Sequence, residues 1–179
     1  MTNLNTKYRQ EVIPKLKEEL KIKNELALPN IEKIVINVGA AEALQSKEVL
    51  AKIKEQLAII SGHAPTITLA KKSISTFKLK AKDPIGVMVT LRGKKAWDFL
   101  EKLIGIVIPR IRDFRGMQEN KFDKMGNYSF GLAEQTLFPY LEYSKVDKVR
   151  GMVITIVVKK GDQDKSKRML ELLGMPFRK

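Results

Sequence analysis

Cysteine is absent from the 179 residues, and histidine occurs once, as His63. The first absence removes disulfides, thiolate metal sites and cysteine nucleophiles together, and fits a reducing compartment. The second leaves no histidine pair to seed a metal centre: His63 stands in the turn Ser61-Gly62-His63-Ala64-Pro65, with no carboxylate nearby in sequence. No metal or cofactor is expected. No window approaches the ~18 apolar residues of a membrane span. Residues 1–23 alternate charged with apolar side chains, so they are not expected to act as a secretory signal. Acidic residues are also short, with 20 Asp and Glu facing 34 Lys and Arg for a formal net charge of +14. Such an excess raises self-repulsion in a compact fold and is tolerated most easily where a polyanion neutralises it. Nucleic acid is the commonest such partner and an anionic membrane the next; a soluble basic protein is the third reading.

Catalytic patterns are equally scarce. Gly93-Lys94 is followed by Lys95 where a phosphate loop needs Ser or Thr, and no glycine stands five residues earlier. Glu18 and Glu19 are helix neighbours that point apart, not an acid–base pair. The chain is not expected to be an enzyme.

What is present suffices for a core. Hydrophobic residues make up 44% and charged residues 30% of a length suited to one domain, residues 1–179. The charge is a patch rather than a haze. Residues 64–95 hold eight basic residues against Asp83 alone, residues 144–179 hold ten against four, and residues 31–63 balance at four of each sign.

Periodicity predicts a helix over residues 6–21 through Tyr8, Val12, Ile13, Leu16 and Leu20, with Pro14 imposing a kink or a start near Glu11. Residues 31–38 alternate as a strand, Ile34, Ile36 and Val38 on one side and Lys33, Val35, Asn37 and Gly39 on the other. Ser46 is the expected N-cap of a helix carrying Leu50, Ile53, Leu57 and Ile60, with Gly62 suited to its left-handed end. Strands are predicted at 65–69, at 84–92 and within the β-branched run 149–158. Further helices are expected at 95–108, ended by Pro109, and around Met169, Leu172 and Leu173, ended by Gly174 and Pro176. Residues 110–127 read as a long polar loop. Two-faced strands suit a sheet covered on one side, so the expected class is α+β: a mostly antiparallel sheet, helices on one face, the other face open, and a long basic loop.

The open face would present Asn37, Thr90 and Arg92, with Thr66, Thr68 and Thr155 as possible additions. Short hydroxyl and amide side chains let a ribose-phosphate backbone approach and can bond phosphates and 2′-hydroxyls. A solvated face on which threonine merely favours strands is the alternative. The face lacks the aromatic row needed for base stacking, which favours recognition of a helical RNA by shape and backbone. The loop 70–83 offers Lys71, Lys72, Ser73, Phe77, Lys78, Lys80 and Lys82. Its lysines can neutralise phosphates, and Phe77 can either stack on an unpaired base or anchor the loop; a solvated charge run with Phe77 buried is the other reading. Arg110, Arg112 and Arg115, beside Phe114, form a third basic group, suited to phosphates or to a helix C-terminus.

Several stretches carry a likeness: Lys33-Ile34-Val35-Ile36-Asn37-Val38-Gly39, Ala70-Lys71-Lys72-Ser73-Ile74, Pro84-Ile85-Gly86, Val89-Thr90-Leu91-Arg92-Gly93, Arg112-Asp113-Phe114-Arg115-Gly116, Gly126-Asn127-Tyr128, Val146-Asp147-Lys148-Val149-Arg150-Gly151-Met152 and Leu172-Leu173-Gly174-Met175-Pro176-Phe177-Arg178-Lys179. In order and spacing, over essentially the full length, they resemble the bacterial branch of the fifth large-subunit ribosomal protein family. The resemblance implies a monomer in the cytoplasmic ribosome, joining 5S rRNA to neighbouring large-subunit components in the central protuberance. It places Asn37, Gly39, Thr90 and Arg92 at the 5S rRNA, and the loop from Lys71 to Lys82 at the elbow of the P-site tRNA. It also implies a bridge to a small-subunit head protein, for which residues 110–127 and 147–150 are the expected side. The chain departs from the family pattern at His63, Ala64, Tyr140 and Val153.

Overall fold

The computed structural model describes residues 3–44, 47–142 and 146–178. The alternating segments form one antiparallel sheet of five strands, in the order β2-β3-β1-β5-β4. The strands are β1 (Asn30–Gly39), β2 (Thr66–Leu69), β3 (Pro84–Arg92), β4 (Tyr128–Leu132) and β5 (Met152–Lys159). Period-two alternation sorts their side chains. Ile34, Ile36 and Val38 of β1, Val87, Val89 and Leu91 of β3, and Ile154, Ile156 and Val158 of β5 are buried, while their sequence neighbours, the buried Gly86 apart, are half-buried or exposed. The expected α+β class is the observed one.

The chain forms two compact units, one of Met1–Ile34, Arg92–Phe130 and Thr155–Lys179, the other of Val35–Leu91 and Gly131–Ile154. In the first unit, helix α1 (Leu4–Lys7) passes through a π-helical stretch (Tyr8–Val12) into α2 (Ile13–Leu20). The helix therefore does not start near Glu11, and it runs on through Pro14. The wider π turn resets the hydrogen-bond register, so that proline sits in the first turn of α2, where its missing N–H costs nothing. The Tyr8 ring lies 5.0 Å from Trp97, and its hydroxyl donates to the Pro29 carbonyl at 2.7 Å.

Helix α4 (Lys94–Lys102) is shorter than the predicted 95–108. It continues as a π stretch (Leu103–Val107) and a 3-10 turn (Ile108–Arg110). The Ile108 N–H donates to Leu103 and the Ile111 N–H to Ile108, a rerouting that absorbs the absent donor of Pro109. Residues 110–127 are not a free loop. Met117 and Phe122 are buried, bridges tie Met117 to Phe177 and Phe122 to Tyr128, and the rings of Phe122, Tyr128 and Phe177 lie 4.6–5.7 Å apart. Helix α5 (Gln163–Leu173) starts at Asp162, whose carboxylate accepts from the Lys165 N–H at 2.8 Å.

In the second unit, α3 (Lys47–Ser61) buries Leu50, Ile53, Leu57 and Ile60 as its stripe predicts, and Gly62 follows at φ +63°. Ser46, the expected cap, lies outside the described residues. β5 opens at Met152 rather than Val149, because Arg150 is drawn into a buried polar network.

Candidate nucleic-acid interface

In the second unit, the face opposite the buried strand residues carries Asn37 and Thr66 exposed to solvent, with Thr68 and Thr90 half-buried. Gly39 is exposed, with open space where a Cβ would point. At the centre of this face the strands approach closely. Thr68 pairs with Gly86 across β2 and β3, and a Cβ on Gly86 would lie 2.7 Å from the Val38 carbonyl oxygen and 2.9 Å from Thr68 Oγ1. Only glycine fits at this buried position, against which the Thr68 hydroxyl and the Val38 carbonyl pack. In the first unit, Arg92 is exposed at the end of β3, and Thr155 is half-buried with its hydroxyl 2.9 Å from that of Ser129.

The basic loop is built rather than loose. The Ala70 N–H donates to the Asp83 carbonyl and the Lys82 N–H to that of Ala70, both at 2.8 Å. Asp83 also accepts from the Lys80 N–H at 2.7 Å through its carboxylate, and Ser73 Oγ accepts from the Ala81 N–H at 2.8 Å. A short 3-10 turn (Ser75–Phe77) and the Ile74–Leu79 bridge shape the tip. These bonds use Asp83 and Ser73 as internal struts and leave the cations outward. Lys71, Lys72, Lys78, Lys80 and Lys82 are exposed, and their side chains make no hydrogen bond or ion pair among the described residues. Phe77 is 70% exposed, so it neither anchors the loop nor lies buried beneath it. Arg110, Arg112 and Arg115 are exposed as well.

One cluster escaped sequence reasoning. The Arg150 side chain is 7% exposed, and its guanidinium grips the Asp147 carboxylate at 2.7 and 3.1 Å, with Glu42 at 3.4 Å from Nε. Gln135 accepts from the Arg150 N–H and donates to the Lys148 carbonyl at 2.7 Å, while Gln56 donates to Asp147 at 3.4 Å. The Arg150 hydrogen bond holds the Asp147 carboxyl well below the usual carboxylate range, against the opposing effect of desolvation. Partners drawn from four separate chain segments leave no local pattern to find. Arg150 thus faces inward, and of the 147–150 segment only Asp147, Lys148 and Val149 meet solvent.

Among the described residues no group of three or more His, Asp or Glu could hold a metal ion, and no helix is long and apolar enough to cross a membrane.

Two family profiles match the chain: residues 24–80 fit that described as ribosomal protein L5, and residues 84–177 that of the C-terminus of the same ribosomal family. Similar curated proteins, each named large ribosomal subunit protein uL5, come from Symbiobacterium thermophilum, 52% identical over 99% of this chain and 98% of the relative, and from Desulfatibacillum aliphaticivorans, 46% identical over the whole of both. That of Dictyoglomus thermophilum is 49% identical, again over the whole of both. With the sheet, the charge and the full length in agreement, the chain belongs to the ribosomal protein L5 family, a structural and non-enzymatic one.

Proposed function

We propose that this constituent of the large ribosomal subunit binds 5S rRNA in the central protuberance through the open sheet face, using Asn37, Gly39, Thr66, Thr68 and Thr90, with Arg92 contributing from the first unit. The observation that supports the reading is the make-up of this face, with Asn37 and Thr66 exposed, Thr68 and Thr90 half-buried, and open space where a Cβ of Gly39 would point. A ribose-phosphate rim can settle there, meeting hydrogen-bond partners for phosphates and 2′-hydroxyls without needing a stacked base. The loop lysines, held outward and unpaired among the described residues, suit the backbone of a second RNA, the elbow of the P-site tRNA, with Phe77 free to touch a base. The exposed arginines at 110, 112 and 115 and, in the 147–150 segment, the exposed Lys148 each suit a small-subunit head protein across a bridge.

Binding of 5S rRNA at fixed salt tests the sheet. Asn37→Ala and Thr90→Val should each weaken it about three- to tenfold, the worth of a hydrogen bond or two. Unchanged affinity in both, with the fold intact, removes the sheet face from the site. Equal affinity for excess duplex DNA would reduce the protein to a nonspecific polyanion binder.

A further inference from the structure

In the first unit, residues 111–116 join the 3-10 turn that ends at Arg110 to the buried Met117. Asp113 and Gly116 both take the left-handed region, at φ +52° and +97°, so the segment reverses sharply. Arg112, Asp113 and Arg115 are exposed, and their side chains make no hydrogen bond or ion pair among the described residues.

The far end of this turn is held by the C-terminal tail. The Met117 N–H donates to the Pro176 carbonyl at 2.8 Å, and the Arg178 N–H donates to the Met117 carbonyl at 2.9 Å. Together they make the parallel bridge between Met117 and Phe177. The tail is anchored on its own account. The Met175 N–H donates to the Leu170 carbonyl at 2.9 Å, and the Phe177 ring meets that of Tyr128 edge-on at 5.5 Å. Chain ends are poorly ordered unless something ties them down, and these contacts do so. Gly116 makes the approach possible. A Cβ there would lie 2.8 Å from both N and Cα of Arg178, main-chain atoms that cannot rotate aside. Arg178 Cβ lies 3.1 Å from the same point, and the residue is exposed. A cation from the end of the sequence is thereby set beside the turn that carries Arg112 and Arg115.

We infer that the C-terminal segment 176–178 completes this arginine surface: it clamps the exit of the turn and adds Arg178 to Arg112 and Arg115. The surface fits a protein that offers carboxylates to the arginines and a cation to Asp113. Asp113 decides the chemistry, because an exposed carboxylate among arginines repels a phosphate backbone, whereas a protein surface presents both signs. The inference rests on the reading that these arginines meet a small-subunit head protein, a reading that includes neither the tail nor Arg178.

Large subunits assembled with each variant and mixed with small subunits give an association constant by light scattering. The 5S affinity and melting temperature of the free chain serve as controls. Arg178→Gln should weaken association about two- to fivefold, the worth of an exposed ion pair, and leave both controls unchanged. Gly116→Val should weaken it at least as much, with the Met117 and Arg178 amides, protected in the unmodified chain, exchanging fast. Arg178→Gln alters no buried group, so it carries the test if Gly116→Val does not fold. The pair Arg112→Gln/Arg115→Gln tests the underlying reading. A weakened pair beside an Arg178→Gln variant that associates normally overturns the inference and leaves that reading standing. Fast exchange at both amides in Gly116→Val with undiminished association does the same. A pair that associates normally overturns the reading, and the inference falls with it. Asp113→Asn should loosen association about twofold; tightening instead overturns the inference and points to phosphates opposite the turn.

Discussion

Thr68 and Gly86 face each other across β2 and β3 so closely that a Cβ at position 86 would come within 2.9 Å of the Thr68 hydroxyl. The other obstacle, the Val38 carbonyl at 2.7 Å, is backbone and cannot rotate away. Gly86→Ala should therefore destabilise the protein by about 1–3 kcal/mol, as overpacking does. Adding Thr68→Ala should restore only part of the loss. Denaturant midpoints of the three variants check this, and full recovery in the double variant would show that the carbonyl contact is not limiting.

Asp147 and Arg150 predict an acid-limb effect. The folded carboxyl titrates below its ordinary value of ~3.9. Its stabilisation is therefore complete above that value and drains away as pH falls toward the lower folded one. Asp147→Asn should cost about 1–2 kcal/mol at neutral pH and flatten stability against pH below about 4. Arg150→Met, which strips Asp147 and Glu42 of their shared guanidinium, should cost about 2–3 kcal/mol. Urea midpoints measured between neutral pH and pH 3 decide the point; parallel curves for Asp147→Asn and the unmodified chain would contradict it.

Two tyrosines govern the alkaline side. Burial pushes the hydroxyls of Tyr8 and Tyr128 up to about 12, and they donate to the carbonyls of Pro29 and Gln118 at 2.7 and 3.0 Å. The neutral phenol is the favoured folded form. Its contribution is therefore intact below the ordinary value of ~10 and is lost as pH rises through about 12. Tyr8→Phe and Tyr128→Phe should each cost about 1 kcal/mol at neutral pH and remove one late step from the phenolate absorbance titration. A titration unaltered by either substitution would refute the assignment.

The loop separates binding from stability. Phe77 is largely exposed and the five lysines are unpaired among the described residues, so Phe77→Ala and a Lys71→Ala/Lys78→Ala/Lys80→Ala variant should leave thermal stability within about 0.5 kcal/mol. The lysine variant should lose up to ~2 units of salt slope for whichever RNA the loop meets. If that RNA is tRNA on the ribosome, P-site tRNA should dissociate faster while 5S affinity barely moves. A large fall in melting temperature would instead make the loop part of the core.

Residue order alone determined the strand faces, the α3 stripe, the Gly62 end and the placement of charge, because these obey periods of 2 and 3.6 or need one particular residue in one backbone state. It also set the outward display of Asn37, since Ile36 and Val38 must point the other way. It could not reveal β4, a short strand interrupted by Gly131 and held by rings from distant segments, nor the π turns that accommodate Pro14 and Pro109. The Arg150 network and the close packing of Thr68 and the Val38 carbonyl against Gly86 were decided by the tertiary structure alone. Each depends on groups far apart in the chain meeting at hydrogen-bond or contact distance, and local periodicity carries no record of which distant segments will meet.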